Sequence, residues 1–231
     1  MSDQPLNRWG QPIGVDLPSG WEPPAAPPHQ VLVGGAVTLR PIDPHMHAVE
    51  MFAAYADSPE SMWTYLPYGP VADAGDLAGV LELLHGLPDW QVYAIDVGGR
   101  LLGFLCYLRI DPPGGVIEIG GITFSSALQR TRAATESMYL LIAHAFDQGY
   151  RRVEWKCDAL NTPSVRAAER LGFVHEGTFR QATHYKGRNR DTAWFSIIDH
   201  EWPALDAALS AWLDDANFDG AGLQRSPLRV R

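Results

Sequence analysis

The segment Asn161–Arg180 constrains the fold more than any other part of the chain. It follows a strand-like run, Val153–Cys157, and opens with an amide side chain suited to a helix N-cap. Pro163 fits the first helical turn, where its missing N–H costs nothing. Gly172 is expected as a left-handed C-cap, and an extended run follows it. The segment therefore predicts a strand, a helix over Ser164–Leu171 and a second strand.

This order of Asn-x-x-Ser, helix, Leu-Gly-Phe and Glu-x-x-x-Arg resembles motif B of the GNAT acyltransferase superfamily, within its ribosomal-protein N-acetyltransferase-like branch. In that family the Asn and Ser at the helix start face the pantetheine arm and thiol of acetyl-CoA. The resemblance thus implies that Asn161 and Ser164 contact the donor. It covers roughly residues 36–198. The alternative is an ordinary strand–helix–strand unit closed by a glycine.

Length and composition fit one domain with extensions. The 231 residues are 46% hydrophobic, which is enough for a sizeable core. The net charge of −9 argues against a nucleic-acid partner, which needs clustered basic residues. The start of the sequence lacks a signal-peptide pattern and no apolar run reaches membrane-spanning length, so we expect a cytoplasmic protein with no membrane partner. Cys106 and Cys157 lie in apolar runs and are expected to be buried free thiols.

The predicted elements follow the order strand, helices, three strands, helix, strand, helix, two strands and a C-terminal helix. That order matches the fold class implied by the resemblance: an α/β (α+β) GNAT fold, with a mixed, mostly antiparallel central sheet splayed at the acyl-CoA site and flanked by helices. Three regions are expected. They are a Pro/Gly/Trp-rich N-terminal arm (1–35), the acetyltransferase domain (36–199), and a C-terminal helix with a loose tail (200–231).

The resemblance extends to motif A, where a splayed strand exposes backbone groups to pantetheine and a loop wraps the pyrophosphate at a helix N-terminus. Here the strand is Glu118–Phe124, in which Gly120-Gly121 is suited to a bulge. Arg132 stands at the usual central glycine of the loop and Arg130 at another. Either guanidinium is a candidate for phosphate contact, or both point to solvent or to acids. The expected donor contacts in this motif are Ile122, Phe124, Gln129, Arg130, Thr131, Arg132, Ala133, Ala134 and Thr135.

Amide formation from a thioester requires a base for the amine and an acid for the departing thiolate. Related enzymes often place a carboxylate on the splayed strand, which favours Glu118 as base over Asp158 at the end of the next strand. Either is equally well an ordinary polar residue of its strand or turn. Ala168 stands where many family members have a tyrosine acid. Ser164 is the expected replacement, with a plain helix-start role as the alternative.

The acceptor side is less defined by the sequence. The eight histidines show no metal-ligand spacing, so no metal is expected. Trp63, Tyr65 and Tyr68 are candidates for lining the acceptor pocket or for core packing. A group on the final hairpin is a candidate for reading an acidic group of the acceptor, or is simply solvated: Arg180, Tyr185, Arg188 and Arg190.

The sequence therefore favours an acyl-CoA-dependent N-acyltransferase that uses acetyl-CoA as cosubstrate and a primary amine as acceptor, either a protein N-terminus or a small amine. One alternative is a non-catalytic acyl-CoA-binding or protein-interaction module of the same fold. Another is an enzyme with a bulkier donor such as succinyl-CoA. The aromatic arm is compatible with a homodimer.

Overall fold

The computed structural model of the protein describes residues 4–230, so residues 1–3 of the predicted arm and residue 231 of the predicted tail lie outside it. Its centre is one eight-stranded sheet. In chain order the strands are β1 (Leu32–Val33), β2 (Thr38–Pro41), β3 (Gln91–Val97), β4 (Arg100–Asp111), β5 (Val116–Phe124), β6 (Arg152–Asp158), β7 (Val174–Tyr185) and β8 (Arg188–Ile198). The spatial order is β1-β2-β3-β4-β5-β6-β8-β7. Among the strands of residues 4–230, only β5 and β6 pair in parallel.

The helices are α1 (Pro44–Tyr55), α2 (Ala74–His85), α3 (Arg132–Asp147), α4 (Thr162–Arg170) and α5 (Trp202–Leu213), with a short 3-10 helix at Glu60–Trp63. Four of the five begin at a side chain that accepts a backbone N–H of the first turn, which satisfies a donor that would otherwise lack a partner. These caps are Asp43, Asp73, Thr131 and Asn161. The predicted mixed, mostly antiparallel α/β architecture is confirmed.

The sheet separates two apolar cores because neighbouring strand residues point to opposite faces. On one face α1 and α2 pack over Ala94, Phe104 and Cys106. On the other face α3, α4 and α5 pack over a larger cluster that includes Tyr107 and Trp155. Since α1 and α2 cover only the first half of the sheet, the same face of β6, β8 and β7 carries charged residues.

The two long extensions both contact the domain. In the arm, Trp21 donates to the Gly149 carbonyl, and Tyr150 donates to the Ala25 carbonyl. The first sheet strand, β1, lies inside the segment predicted as the arm. After α5 the chain folds back, with Trp212 donating to Gln224 at 2.9 Å. Trp9 by contrast is 68% exposed.

Candidate active site

The strands β5 and β6 separate partway along their length. They pair only at three positions, of which Glu118 opposite Glu154 is the last. Beyond it, β5 runs on to Phe124 and β6 to Asp158 without pairing to each other. The backbone groups that β5 directs toward β6 in this stretch therefore have no ladder partner. We call this opening the β5–β6 gap.

A bulge in β5 lies at the start of the gap. Three residues of β4, from Phe104 to Cys106, stand opposite four residues of β5, from Gly120 to Thr123. Gly121 has φ +58°, a left-handed conformation that glycine adopts without steric cost. A Cβ there would lie 2.9 Å from the Cys106 sulfur. The bulge that the glycine pair predicts is thus present, and it turns β5 away from β6.

The N-terminus of α3 has the features of an anion-binding site. Thr131 caps the helix by accepting the Ala134 N–H at 3.1 Å. Within residues 4–230 the backbone N–H groups of Arg130, Arg132 and Ala133 have no hydrogen-bond acceptor. Three free amides at the positive end of a 16-residue helix suit a pyrophosphate.

The two loop arginines have different surroundings. Arg130 is exposed, and its φ of +62° is unusual for a residue with a side chain. Arg132 instead extends toward the C-terminal segment. It donates to Asp215 at 2.7 Å and to the Leu213 carbonyl, and it lies 4.6 Å from the centre of the Phe218 ring. The sequence left open whether these arginines contact phosphate or instead point to solvent or pair with acids. The Arg132 guanidinium pairs with an acid, whereas the Arg130 side chain remains available to a ligand.

The other loop positions hold the scaffold together. Gln129 donates to the Phe124 carbonyl at 2.9 Å, which ties the loop to the end of β5. Thr135 accepts a hydrogen bond from Arg170 of α4 at 3.1 Å. The next residue, Glu136, is buried and accepts the N–H groups of Gly35 and Ala36 at 2.7 Å each. Ala133 and Ala134 are small and buried against the core.

On the β6 side of the gap, Asn161 and Ser164 occupy the start of α4. Asn161 caps the helix through the Ser164 N–H at 3.2 Å. The Ser164 hydroxyl oxygen accepts the indole N–H of Trp155 at 3.0 Å. That contact uses a lone pair of the oxygen, and the hydroxyl also hydrogen-bonds with the neighbouring Cys157 thiol. The role of Ser164 as the acid stays a prediction.

Glu118 lies at the point where the strands part, and it is 3% exposed. One carboxylate oxygen accepts from Arg109 at 2.5 Å and lies 2.9 Å from the Lys156 ammonium. Lys156 also pairs with Glu154 at 2.7 Å and lies over the Trp194 ring. The expected base is thus already paired with two cations.

Asp158, the other carboxylate, ends β6 and is 5% exposed. One oxygen accepts the Leu160 N–H at 2.9 Å, and the second accepts the Tyr185 hydroxyl at 2.7 Å. Burial, together with the Asp158 charge, raises the pKa of Tyr185 to about 12. Tyr185 therefore acts as a donor to this carboxylate at neutral pH.

Aromatic side chains connect the α1 face to the bulge. Tyr55 donates to the Thr123 carbonyl at 3.1 Å, and Tyr68 contacts the Thr123 hydroxyl at 2.9 Å. Trp63 packs against both tyrosine rings and is 5% exposed, which places it in the core. The hairpin tip reaches this region, since Lys186 donates to the Trp63 carbonyl at 2.6 Å. The β7–β8 hairpin thus spans the gap from the end of β6 to the 3-10 helix.

Neither cysteine is set up for nucleophilic chemistry. Cys106 and Cys157 are buried and free, as predicted, and burial raises the pKa of both thiols. Within the described part of the chain, no three His, Cys, Asp or Glu side chains are grouped so as to hold a metal ion. None of the helices in residues 4–230 has the length and apolar character that crossing a bilayer requires.

Sequence reasoning missed the pairing partners within the site. Arg109 lies in a β-bulge of β4 far from the motifs, and nothing near it in sequence points to Glu118. Lys156 could have been found from the sequence, because Glu154, Lys156 and Asp158 are each two residues apart and therefore lie on one side of β6. Three polar residues on the same side of a central strand indicate a face left uncovered by helices.

Comparison with known proteins agrees with this geometry. Residues 48–173 match the Acetyltransferase (GNAT) family. A GCN5-related N-acetyltransferase from Brucella melitensis is 43% identical, with a TM-score of 0.87 over 90% of this chain and 96% of that one. A probable acetyltransferase (GNAT family) from Chromobacterium violaceum is 42% identical, with a TM-score of 0.78 over 84% of this chain and 99% of that one.

The curated relatives include the putative ribosomal N-acetyltransferase YdaF of Bacillus subtilis. It is 25% identical over 126 residues, which are 50% of this chain and 68% of that protein. The family match and this relative confirm the resemblance noted in the sequence. The separated strands, the free amides at α3 and the family match together show that the chain belongs to the GNAT family of acetyltransferases.

Proposed function

We propose that this enzyme transfers the acetyl group of acetyl-CoA to a primary amine by direct attack. The observation that carries the proposal is the joint presence of the β5–β6 gap and the three free amides at the start of α3. The gap suits the peptide-like pantetheine arm of acyl-CoA, and the free amides suit its pyrophosphate. Both lie at the same end of β5, because the loop that leaves β5 leads directly into α3.

The pantetheine arm would run along β5 past the bulge, beside Ile122 and Phe124. The pyrophosphate would rest on the amides of Arg130, Arg132 and Ala133, with the Arg130 guanidinium beside it. In this arrangement the backbone of Arg132, rather than its side chain, meets the phosphate. Gln129, Thr131, Ala134 and Thr135 would act by shaping the loop.

Asn161 and Ser164 would border the thioester from the β6 side. During transfer the acceptor ammonium loses one proton, and its nitrogen attacks the carbonyl carbon of the thioester. The carbon–sulfur bond then breaks, and the second proton leaves the nitrogen as the CoA thiolate takes one up. Ser164 is proposed as the proton donor to that sulfur, because its hydroxyl lies at the start of α4 and would exchange the Cys157 sulfur for the sulfur of CoA.

The acceptor would enter from the α1 face, between the bulge and the hairpin tip. A protein N-terminus and a small amine are the two acceptor classes that this proposal allows. The similarity to a putative ribosomal N-acetyltransferase supports the former. The net charge of −9 favours cationic acceptors over nucleic acid and is compatible with a cytoplasmic enzyme.

Calorimetric titration with CoA, acetyl-CoA and succinyl-CoA tests the donor, and release of free thiol with a panel of amines tests the reaction. We expect acetyl-CoA to bind and at least one amine to be turned over. Preferential binding of succinyl-CoA would show that the donor is succinyl-CoA and not acetyl-CoA. Binding without turnover of any amine would support the non-catalytic module, and no binding by folded protein would refute the donor site.

A further inference from the structure

Two buried carboxylates flank the β5–β6 gap, and they differ in their charge environment. Glu118 and Asp158 are 3% and 5% exposed. Glu118 is paired with Arg109 and Lys156 on a single oxygen. Asp158 forms no ion pair within the described residues. A buried carboxylate that is in no direct ion pair is the feature that a cationic ligand would complete.

The pairing of Glu118 limits its use as a base. Two cations lie 2.5 and 2.9 Å from one oxygen of its carboxylate, so an acceptor ammonium that approached this oxygen would meet two like charges. Lys156 itself is held by Glu154 and by the Trp194 ring. Glu118 therefore belongs to a closed set of ion pairs that holds the strands together where they part.

Asp158 keeps unused acceptor capacity. A carboxylate has about four lone-pair positions, and the Leu160 N–H and the Tyr185 hydroxyl fill one on each oxygen. Both donors are neutral, so neither cancels the charge. Each oxygen retains a position for an ammonium N–H.

The location of Asp158 also suits the acceptor. It ends the part of β6 that does not pair with β5, only three residues before Asn161 at the start of α4. Tyr185 and Lys186 bring the hairpin tip over this point, and Tyr65 is close enough to influence Tyr185 electrostatically. Asp158 thus lies between the proposed thioester site and the wall of the acceptor cleft.

The charged and titratable groups around Asp158 come from several elements. Tyr185 of β7 donates to it directly, and the Cys157 thiol adjoins it on β6. Arg190 of β8 acts on both Tyr185 and Cys157, and its Nε is buried with no hydrogen-bond partner. Lys156 lies two residues away on the same side of β6 but is committed to Glu118 and Glu154.

We propose that Asp158 is the group that removes the proton from the acceptor ammonium, and that Tyr185 is a positioning residue that holds its carboxylate. This assignment rests on the proposed N-acyltransferase function. The ammonium N–H bond breaks and the proton passes to a carboxylate oxygen of Asp158, which returns it to solvent. The neutral amine then attacks the thioester, and the remaining steps follow as above.

The test compares Asp158→Asn with Glu118→Gln in the full chain, using acetyl-CoA and two acceptors. One is the alkylamine or peptide amine that the wild-type protein turns over fastest. The other is hydroxylamine, which is neutral at pH 7.5 and so has no ammonium proton to lose before it attacks. Asp158→Asn should lower turnover of the primary amine about 100-fold or more, with little change for hydroxylamine or for acetyl-CoA binding. Glu118→Gln should affect both acceptors alike.

Tyr185→Phe tests the positioning role through the pH dependence of kcat/KM, which a purely structural role would not change. Losing the hydroxyl removes a hydrogen bond that stabilises the charged carboxylate, so the acidic limb of kcat/KM should shift to higher pH. Asp16→Asn, in the exposed arm, is the matched control with unchanged kinetics.

Equal losses for the two acceptors in Asp158→Asn, or an amine-selective loss only in Glu118→Gln, would overturn the assignment. A rate reduced uniformly across pH in Tyr185→Phe would also count against it. A wild-type protein that binds acetyl-CoA but turns over neither acceptor would refute the proposed function instead.

Discussion

Replacing Arg132 by alanine separates the two roles that the sequence allows for this side chain. In the structure the guanidinium holds the C-terminal segment, while the backbone N–H remains free at the start of α3. We therefore expect Arg132→Ala to destabilise the protein and to leave the dissociation constant for acetyl-CoA nearly unchanged.

The magnitude follows from three contacts. The charged hydrogen bond to the Leu213 carbonyl contributes about 1.5 kcal/mol. The Phe218 ring, 4.6 Å from the guanidinium carbon, adds about 0.5–1 kcal/mol. Asp215 adds little, because its side chain is 92% exposed and solvent screens the ion pair. The sum is about 2 kcal/mol in the free energy of unfolding, measured by urea denaturation.

Asp215→Asn is the matched control and should change stability by less than about 0.5 kcal/mol. A calorimetric titration with acetyl-CoA completes the comparison. Donor binding weakened tenfold or more by Arg132→Ala, with the free energy of unfolding at the wild-type value, would refute this role. That result would mean that the side chain leaves the C-terminal segment and reaches the phosphate.

Three further substitutions test other parts of the structure. Arg130→Ala should weaken acetyl-CoA binding about fivefold to tenfold, measured by calorimetry, because an exposed guanidinium beside the loop amides is lost. Gly172→Ala should cost about 3 kcal/mol in urea denaturation, since φ is +94° and the new Cβ would lie 2.5 Å from Leu205. Hydrogen bonds from Arg152 hold the pKa of Glu176 below its ordinary value of 4.5. This stabilisation is fully present at pH values above the ordinary pKa, and it is lost as the pH falls through the pKa of the folded protein. Glu176→Gln should therefore lower the free energy of unfolding by about 1 kcal/mol at pH 7, and by progressively less in acid.

Each of these has a control in the chain. Arg8→Ala removes an arginine of the arm that lies over Trp9, and it should leave donor binding unchanged. Gly177→Ala adds a Cβ with no atom within 4 Å, and it should be tolerated. Glu169→Gln removes an exposed carboxylate that forms no ion pair within residues 4–230, and it should change the free energy of unfolding by less than about 0.5 kcal/mol. If a control substitution changed the measured quantity as much as the substitution that it accompanies, the corresponding explanation would be refuted.

The local elements could be read from the sequence because their signals are local. The Asn161 cap, the Gly172 stop and the Gly98-Gly99 turn act through neighbouring backbone groups, and all three lie where the pattern places them. The bulge at Gly120-Gly121 was equally predictable, since only glycine adopts that backbone conformation without strain. These features place the donor site at the end of β5.

The partners of the site residues could not be read in the same way. Arg132 meets Asp215 across 83 positions of sequence, and Tyr185 meets Asp158 across 27. Such contacts depend on how α5 and the β7–β8 hairpin pack, which no local pattern encodes. The sequence alone therefore determined the elements, their order and the family, because capping, turns and periodicity are short-range effects. The tertiary structure decided which charges are paired and which remain free, because ion pairing depends on distances that exist only after the strands and helices have packed.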